Sequence, residues 1–207
     1  MKSQLARFYY DQALDLALTD QLSLAKEKLD ACLSLNPQLW QGWNLLGLCC
    51  YRLGDFPQCK EAWTRSIELT PENPAEVYLT SLSSLSQVLA DYHTALGHAL
   101  DGNYRRALRI MEAKSFPSYE IVRFANLLGL CQFAVGEKNA AFVSWGKSLR
   151  LDKTNPWALH YIREAALNPI PERIWAKIWR AVKSVSQRKA PALWTRLSEK
   201  AVKESKC

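Results

Sequence analysis

The hexapeptide Asn-Leu-Leu-Gly-Leu-Cys occurs twice in this chain, at residues 44–49 and again at 126–131. The offset between the two copies is 82 residues (126 minus 44). A register kept over some thirty residues indicates a repeated structural unit rather than a chance match. Further identical pairs at this offset are Gly54 and Gly136, Trp63 and Trp145, Ser66 and Ser148, Leu69 and Leu151, and Asn73-Pro74 and Asn155-Pro156.

Composition favours helices joined by short turns. The chain has 207 residues and is 48% hydrophobic, with only 8 glycines and 9 prolines. The prolines cluster at Asn36-Pro37, at 71–74 and at Asn155-Pro156, which is typical of the ends of helices. No alternation of apolar and polar residues persists, so the predicted fold class is all-α.

Residues 40–73 contain the most regular unit. The apolar spacing predicts one helix over Trp40–Leu53 and a second over Phe56–Leu69, with Gly54 ending the first helix in a left-handed conformation. Gly47 lies inside the first helix, where glycine costs about 1 kcal/mol relative to alanine. We therefore predict that a neighbouring helix comes close at Gly47, and at Gly129 in the second copy.

This unit resembles the tetratricopeptide repeat, which consists of 34 residues in two antiparallel helices. The resemblance implies a right-handed superhelix of antiparallel helix pairs. Its units would be about 4–39, 40–73, 75–119 and 120–155, followed by a capping helix at 156–167 and a basic helical C-terminal extension at 168–207. The first unit departs from the pattern, with Asp20 in place of the turn glycine. The matching residues are Trp43, Leu46-Gly47, Tyr51, Gly54-Asp55-Phe56, Ala62-Trp63, Leu69 and Pro71.

The third unit is longer than the others by 14 residues, because 82 is twice 34 plus 14. We predict that its first helix is lengthened to one continuous helix over residues 75–101. The alternative is two short helices with a break near Ser83-Ser84, since serine is only a fair helix former. A helix of that length would also offer a surface for self-association, and a homo-oligomer is one hypothesis.

The resemblance implies that the first helix of each unit faces a concave groove. The function it implies is that of a non-catalytic adaptor or co-chaperone-like scaffold, which binds a peptide or helix of a partner protein in that groove. An asparagine side chain can bond both the N–H and the C=O of an extended peptide. The alternative is that Tyr51 or Phe133 only packs against the neighbouring unit or the C-terminal tail. The predicted groove residues are Gln41, Asn44, Leu48, Tyr51 and Arg52 in one unit, and Arg123, Asn126, Leu130 and Phe133 in the other.

The basic charge of the chain belongs to its C-terminal end. Residues 171–207 contain 10 Lys or Arg and 3 Asp or Glu, a difference equal to the net charge of +7 for the whole chain. The remaining residues therefore carry 17 charges of each sign (27 minus 10 and 20 minus 3). An amphipathic basic helix there could bind an anionic membrane surface, nucleic acid or an acidic protein partner, or it could pack on the array. Its candidate surface residues are Lys177, Arg180, Lys183 and Arg188.

Catalytic function is not indicated. The chain has no glycine-rich phosphate loop, and its 6 cysteines form no Cys-x-x-Cys pair. We therefore expect no catalytic residues, no metal site, no cofactor and no small-molecule substrate. No apolar run approaches the length of a membrane span, and the N-terminus does not resemble a signal peptide, so we expect a cytoplasmic protein.

Overall fold

The computed structural model describes residues 2–113, 116 and 120–167. The described residues form ten helices and no strand. The predicted all-α fold class is confirmed. The helices are α1 (Lys2–Leu18), α2 (Leu22–Leu35), α3 (Trp40–Leu53), α4 (Phe56–Leu69), α5 (Ala75–Ser84), α6 (Ser86–Leu100), α7 (Tyr104–Ala113), α8 (Val122–Ala134), α9 (Lys138–Leu151) and α10 (Pro156–Leu167).

Four helix pairs are joined by tight turns: α1–α2, α3–α4, α6–α7 and α8–α9. Gly54 ends α3 with φ 86°, and Gly136 follows α8 with φ 93°. The first pair has no glycine at its turn, and Asp20 takes the left-handed conformation instead, with φ 60°. Aspartate tolerates this region better than most residues, which explains how the first turn forms without glycine.

A glycine and a tryptophan hold the two helices together in α3–α4 and again in α8–α9. A Cβ atom at Gly47 would lie 2.2 Å from Nε1 of Trp63, and one at Gly129 would lie 2.4 Å from Nε1 of Trp145. The indole N–H groups donate to the backbone oxygens of Asn44 (3.2 Å) and Asn126 (3.4 Å). The close approach predicted at both glycines is confirmed.

Each of these pairs ends at a buried asparagine. The side-chain nitrogen of Asn73 donates to the backbone oxygens of Ser66 (3.0 Å) and Thr70 (2.7 Å), and its oxygen accepts from the N–H of Ala75. Asn155 likewise donates to the hydroxyl of Ser148 at 2.9 Å, and it accepts from the first turn of α10. Asparagine therefore joins the last turn of one pair to the helix that follows.

The prediction of one continuous helix over residues 75–101 is wrong. The helix stops at Ser84, and a new one starts at Ser86, because Leu85 has ψ near 3° and donates its N–H to the carbonyl of Leu82. The hydroxyls of Ser83 and Ser84 donate to the carbonyls of Leu79 (3.1 Å) and Ser81 (2.6 Å). Such back-bonding bends helices. The α5 helix packs on α4, whereas α6 packs on α7. The break removes the single long helix on which the self-association hypothesis relied.

The first and last pairs touch each other through a contact that we call the end contact, formed by residues 19–23 and 152–153. The backbone N–H and hydroxyl of Ser23 donate to the buried carboxylate of Asp152, at 3.3 and 2.5 Å. The backbone N–H of Lys153 donates to the backbone carbonyl of Asp20 at 2.7 Å. The side-chain ammonium of Lys153 donates to the backbone carbonyl of Thr19 at 2.9 Å. The array therefore does not end in two separate free units.

The aromatic core lies where α8 meets the middle of the array. The ring centroid of Phe124 on α8 lies 4.8 Å from that of Tyr92, 4.9 Å from that of Phe116 and 6.2 Å from that of Phe56. These rings come from α6, from the segment before α8 and from the start of α4. Because they converge on one residue, α8 is fixed between elements that are distant in sequence.

The predicted C-terminal helix, with Lys177, Arg180, Lys183 and Arg188, lies outside the described residues. Within the described part, no helix has the length and apolar character that a membrane span requires.

Candidate protein-binding surface

The predicted stripe on α3 is partly accessible along its whole length. Gln41, Asn44, Leu48, Tyr51 and Arg52 are all half-buried. The first three follow helical spacing and lie on one side of α3. The side-chain oxygen of Asn44 is buried and has no hydrogen-bond partner among the described residues. Its unmet acceptor makes Asn44 the most distinctive polar group of the stripe.

The C-terminal end of the α3 stripe is already engaged. Tyr51 packs against the rings of Trp63 and Phe56, with centroids 6.1 and 6.2 Å away. The guanidinium of Arg52 bonds the carboxylate of Asp20 at 3.0 and 3.1 Å. Tyr51 therefore packs within its own helix pair, whereas the alternative supposed a contact with a neighbouring unit or the tail.

The stripe on α8 is not the open surface that the sequence predicted. Asn126 and Leu130 are only 7% and 8% exposed. Arg123 is exposed and pairs with Asp55 at 3.5 Å, and Phe133 is half-buried against Trp145. The physical reason is that α8 contacts α3, α6, α7, α9 and α10, so little of its circumference meets solvent. Whether these residues bind a partner stays a prediction.

Asn126 repeats the chemistry of Asn44 in this buried setting. Its side-chain oxygen also has no hydrogen-bond partner among the described residues. Buried polar atoms in proteins are usually hydrogen-bonded, so two unmet oxygens at matching positions of the repeat need an explanation. Both oxygens are buried, but the rest of Asn44 is half-buried on α3, whereas Asn126 is only 7% exposed on α8.

The described residues show neither a metal-binding cluster nor an exposed cysteine. No group of three or more His, Cys, Asp or Glu is placed there to hold a metal ion. Five cysteines are buried, and burial raises the pKa of Cys49, Cys59 and Cys131 to about 12. Thiols with such pKa values stay protonated near neutral pH and are weak nucleophiles. These three thiols are therefore poor candidates for nucleophiles.

Two groups of polar residues were missed by the sequence analysis. One is Ser23 with Asp152, which are 129 residues apart and share no local pattern. The other is Arg105, Arg106 and Arg109 on α7, all exposed beside two clefts. Three arginines within five residues (105, 106 and 109) are a local signal in the sequence that could have identified the second group.

The comparisons with known proteins agree with the helix pairs. The model of the tetratricopeptide repeat family matches residues 40–73, which are α3, α4 and the turns around them. The protein carries a tetratricopeptide repeat. No protein with curated annotation is similar to this chain in sequence.

Several solved structures are similar to it. One is described as the MamA RS-1 ArsTM double mutant, at 14% identity and TM-score 0.37, covering 88% of this chain and 94% of the other. Another is YrrB, described as a TPR protein with an unusual peptide-binding site, at 16% identity and TM-score 0.35, covering 75% and 90%. A third is MamA 41-end from Desulfovibrio magneticus RS-1, at 15% identity and TM-score 0.31, covering 78% and 93%.

Proposed function

We propose that this tetratricopeptide-repeat protein is a non-catalytic adaptor, of the co-chaperone-like kind, which binds an extended peptide or helix of a partner protein along α3. A tetratricopeptide repeat points to a scaffold for protein–protein interaction. The finer assignment concerns the part of α3 that carries Gln41, Asn44 and Leu48.

The observation that carries the proposal is the unmet side-chain oxygen of Asn44. Leaving a buried acceptor unpaired costs about 1–3 kcal/mol. An N–H from a bound peptide would remove that cost, while Leu48, half-buried one helical turn away, would contact an apolar side chain of the peptide. Gln41 would add a donor and an acceptor at the other end.

A matched pair of substitutions tests this assignment. Peptides that bind the full chain would be selected from a displayed library, and their affinity would be measured by calorimetry. Asn44→Ala should weaken binding about tenfold, the size expected for one lost hydrogen bond to a buried group. Asn126→Ala is the control, because it removes the same group from an enclosed position.

The proposal fails if Asn44→Ala leaves the affinity of every selected peptide unchanged, or if it weakens binding only as much as Asn126→Ala does. Thermal unfolding of both variants should be measured alongside. A large fall in melting temperature for Asn44→Ala would make that residue structural instead.

The rival hypothesis is a regulator that docks on nucleic acid or an anionic membrane surface through the basic C-terminal segment. What favours it is the excess of 10 Lys or Arg over 3 Asp or Glu in residues 171–207. Neutralising four of these charges in the full chain (Lys177→Gln, Arg180→Gln, Lys183→Gln and Arg188→Gln) should abolish such docking. Raising the salt concentration should weaken it steeply. Binding along α3 should change little in either test.

A further inference from the structure

The α7 helix carries three arginines on its exposed side: Arg105, Arg106 and Arg109. None of them forms an ion pair with another residue of the described ranges. Arginines elsewhere do pair: Arg52 binds Asp20 and Arg123 binds Asp55. The array without its C-terminal end is neutral overall, so α7 is a local concentration of positive charge.

These charges lie at an electrostatically unfavourable place. The α7 helix begins at Tyr104 and has no acidic residue in its first turn. The N-terminus of a helix is already the positive end of its dipole, so cations there are unfavourable by a few tenths of a kcal/mol each. Within the described residues, no carboxylate forms an ion pair with these arginines, although Asp91, Glu112 and Glu137 line the same clefts. Carboxylates of a partner could form such pairs.

Two clefts border the arginines. The first cleft, of about 400 Å³, lies between α6 and α7, and both charged and apolar side chains line it. It is lined by Thr94 and His98 from α6 and by Arg106, Arg109, Ile110 and Ala113 from α7, with Asp91 also at its wall. Asp91 accepts a hydrogen bond from Gln87 at 3.2 Å.

The second cleft, of about 350 Å³, lies on the other side of Arg109. Arg105 and Arg109 line it together with Leu108 and Val135, and Glu112 and Glu137 stand at its wall. Arg109 borders both clefts, so one extended segment could contact both. Asp91, Glu112 and Glu137 would repel carboxylates of a bound segment. The favoured alignment of the segment is therefore the one that places its carboxylates against the arginines.

We propose that the clefts on either side of α7 bind an acidic segment of a partner protein that also carries apolar side chains. Arginine pairs with carboxylates through two parallel N–H···O bonds, which suits Asp and Glu side chains. Ile110 and Val135, both half-buried, offer apolar contact for the residues between them.

Other occupants fit less well. The chain's own C-terminal segment is basic and would be repelled. Arg105 to Arg109 spans about 6 Å of helix, which is short for a nucleic acid, since phosphate-backbone binders commonly make about 6–10 contacts. A membrane-surface helix needs large apolar residues facing outward, and on α7 the large apolar residues Leu108 and Met111 are buried.

This site is separate from the α3 surface, so either assignment can fail without the other. The probe is an array of short synthetic peptides with Glu and Leu at varied spacings, in which each peptide has a copy carrying Gln in place of Glu. The full chain should bind a subset of the acidic peptides, each at least about tenfold more tightly than its Gln copy.

The test variant is Arg106→Glu with Arg109→Glu. Its matched control is Arg150→Glu with Arg163→Glu, which makes the same change of charge at exposed arginines of α9 and α10. The C-terminal segment is present in both, so any binding that it contributes is common to the two. The test variant should lose at least about tenfold in affinity for the selected peptides while the control keeps the parent affinity.

Three results would overturn the proposal. The array could show no preference for acidic peptides over their Gln copies. The test variant and its control could lose affinity equally, which would make the effect one of net charge. Alternatively, Arg106→Glu with Arg109→Glu could abolish binding to single-stranded RNA or to anionic vesicles while leaving peptide binding intact, which would assign α7 to another class of partner. Asn44→Ala should not change binding of the acidic peptides.

Discussion

Helices α3 and α8 contain the same hexapeptide, and they occupy different environments. In both helices, the glycine one turn after the asparagine leaves room for a tryptophan ring. The indole N–H donates a hydrogen bond to the backbone carbonyl of that asparagine. Yet Asn44 and Leu48 on α3 are half-buried, whereas Asn126 and Leu130 on α8 are only 7% and 8% exposed. The local geometry repeats, and the exposure does not.

The difference shows which properties of a repeat are local and which depend on its position. The fit between glycine and tryptophan involves only the two helices of one pair, so identical residues reproduce it. Exposure depends on what the rest of the chain packs against the pair. Each helix contains only one charged residue, Arg52 in α3 and Arg123 in α8, so composition does not separate them.

The largest expected difference between the copies comes from placing a carboxylate on each stripe. Leu130→Glu should destabilise the fold by about 3–5 kcal/mol, because the charge would be buried without a partner. Leu48→Glu at the matching position should cost about 1–2 kcal/mol. Urea denaturation followed by circular dichroism measures both. Equal losses would mean that α3 and α8 are equally buried in solution.

The end contact gives the next comparison, since Asp152 and Thr70 occupy matching positions. Asp152→Ala removes the acceptor for Ser23 and for the N–H and hydroxyl of Thr154, and it should cost about 2–3 kcal/mol. Thr70→Ala should change stability by less than about 0.5 kcal/mol. The same denaturation experiment measures these values. A small effect of Asp152→Ala would contradict the end contact in solution.

Substitutions at the two glycines should have similar effects. Gly47→Ala and Gly129→Ala should each destabilise the protein by about 1–3 kcal/mol, because the added methyl group would displace a buried indole ring. Gly146 on α9 has no heavy atom within 4 Å of the position of its missing Cβ. There Gly146→Ala should stabilise the protein by up to about 1 kcal/mol, since alanine is the better helix former. Calorimetric melting temperatures give the sign, and a stabilising Gly47→Ala would contradict the close approach.

The smallest effect concerns the thiols at the end of each hexapeptide. Burial raises the pKa of Cys49 and of Cys131 to about 12, from 9.0 in an unfolded chain. The folded state therefore binds these protons more tightly, and the stability that depends on them is present below pH 9 and is lost as the pH rises toward 12. Cys49→Ala and Cys131→Ala should each reduce the loss of stability at pH 10 by about 1 kcal/mol. Melting curves across this range test it, and unequal effects would show that the two thiols differ in burial.

Much of the fold follows from patterns that are local in sequence. The bounds of α3 and α4 were predicted residue for residue, because glycine and proline mark the helix ends and the apolar spacing fills the space between them. The sequence pattern does not favour the break at Leu85, because a single non-helical residue hardly disturbs the helical spacing of the apolar residues on either side. The burial of α8 could not be predicted, because it depends on contacts with helices far away in the chain.

The candidate site was predictable only in part. Gln41, Asn44 and Leu48 lie on one side of α3 because helical spacing places them there. The engagement of Arg52 with Asp20 depends on a turn that lies 32 residues earlier. No periodic pattern encodes such a polar contact between distant turns.

The end contact also bears on how the chain unfolds. A stack whose units touch only their neighbours can lose a terminal unit while the rest stays folded, so its ends fray independently. Here the turn after α1 bonds the segment before α10, across more than a hundred residues. Loosening one end therefore costs contacts at the other. The first and last pairs should open as one cooperative unit, and their amide hydrogens should exchange with a common free energy.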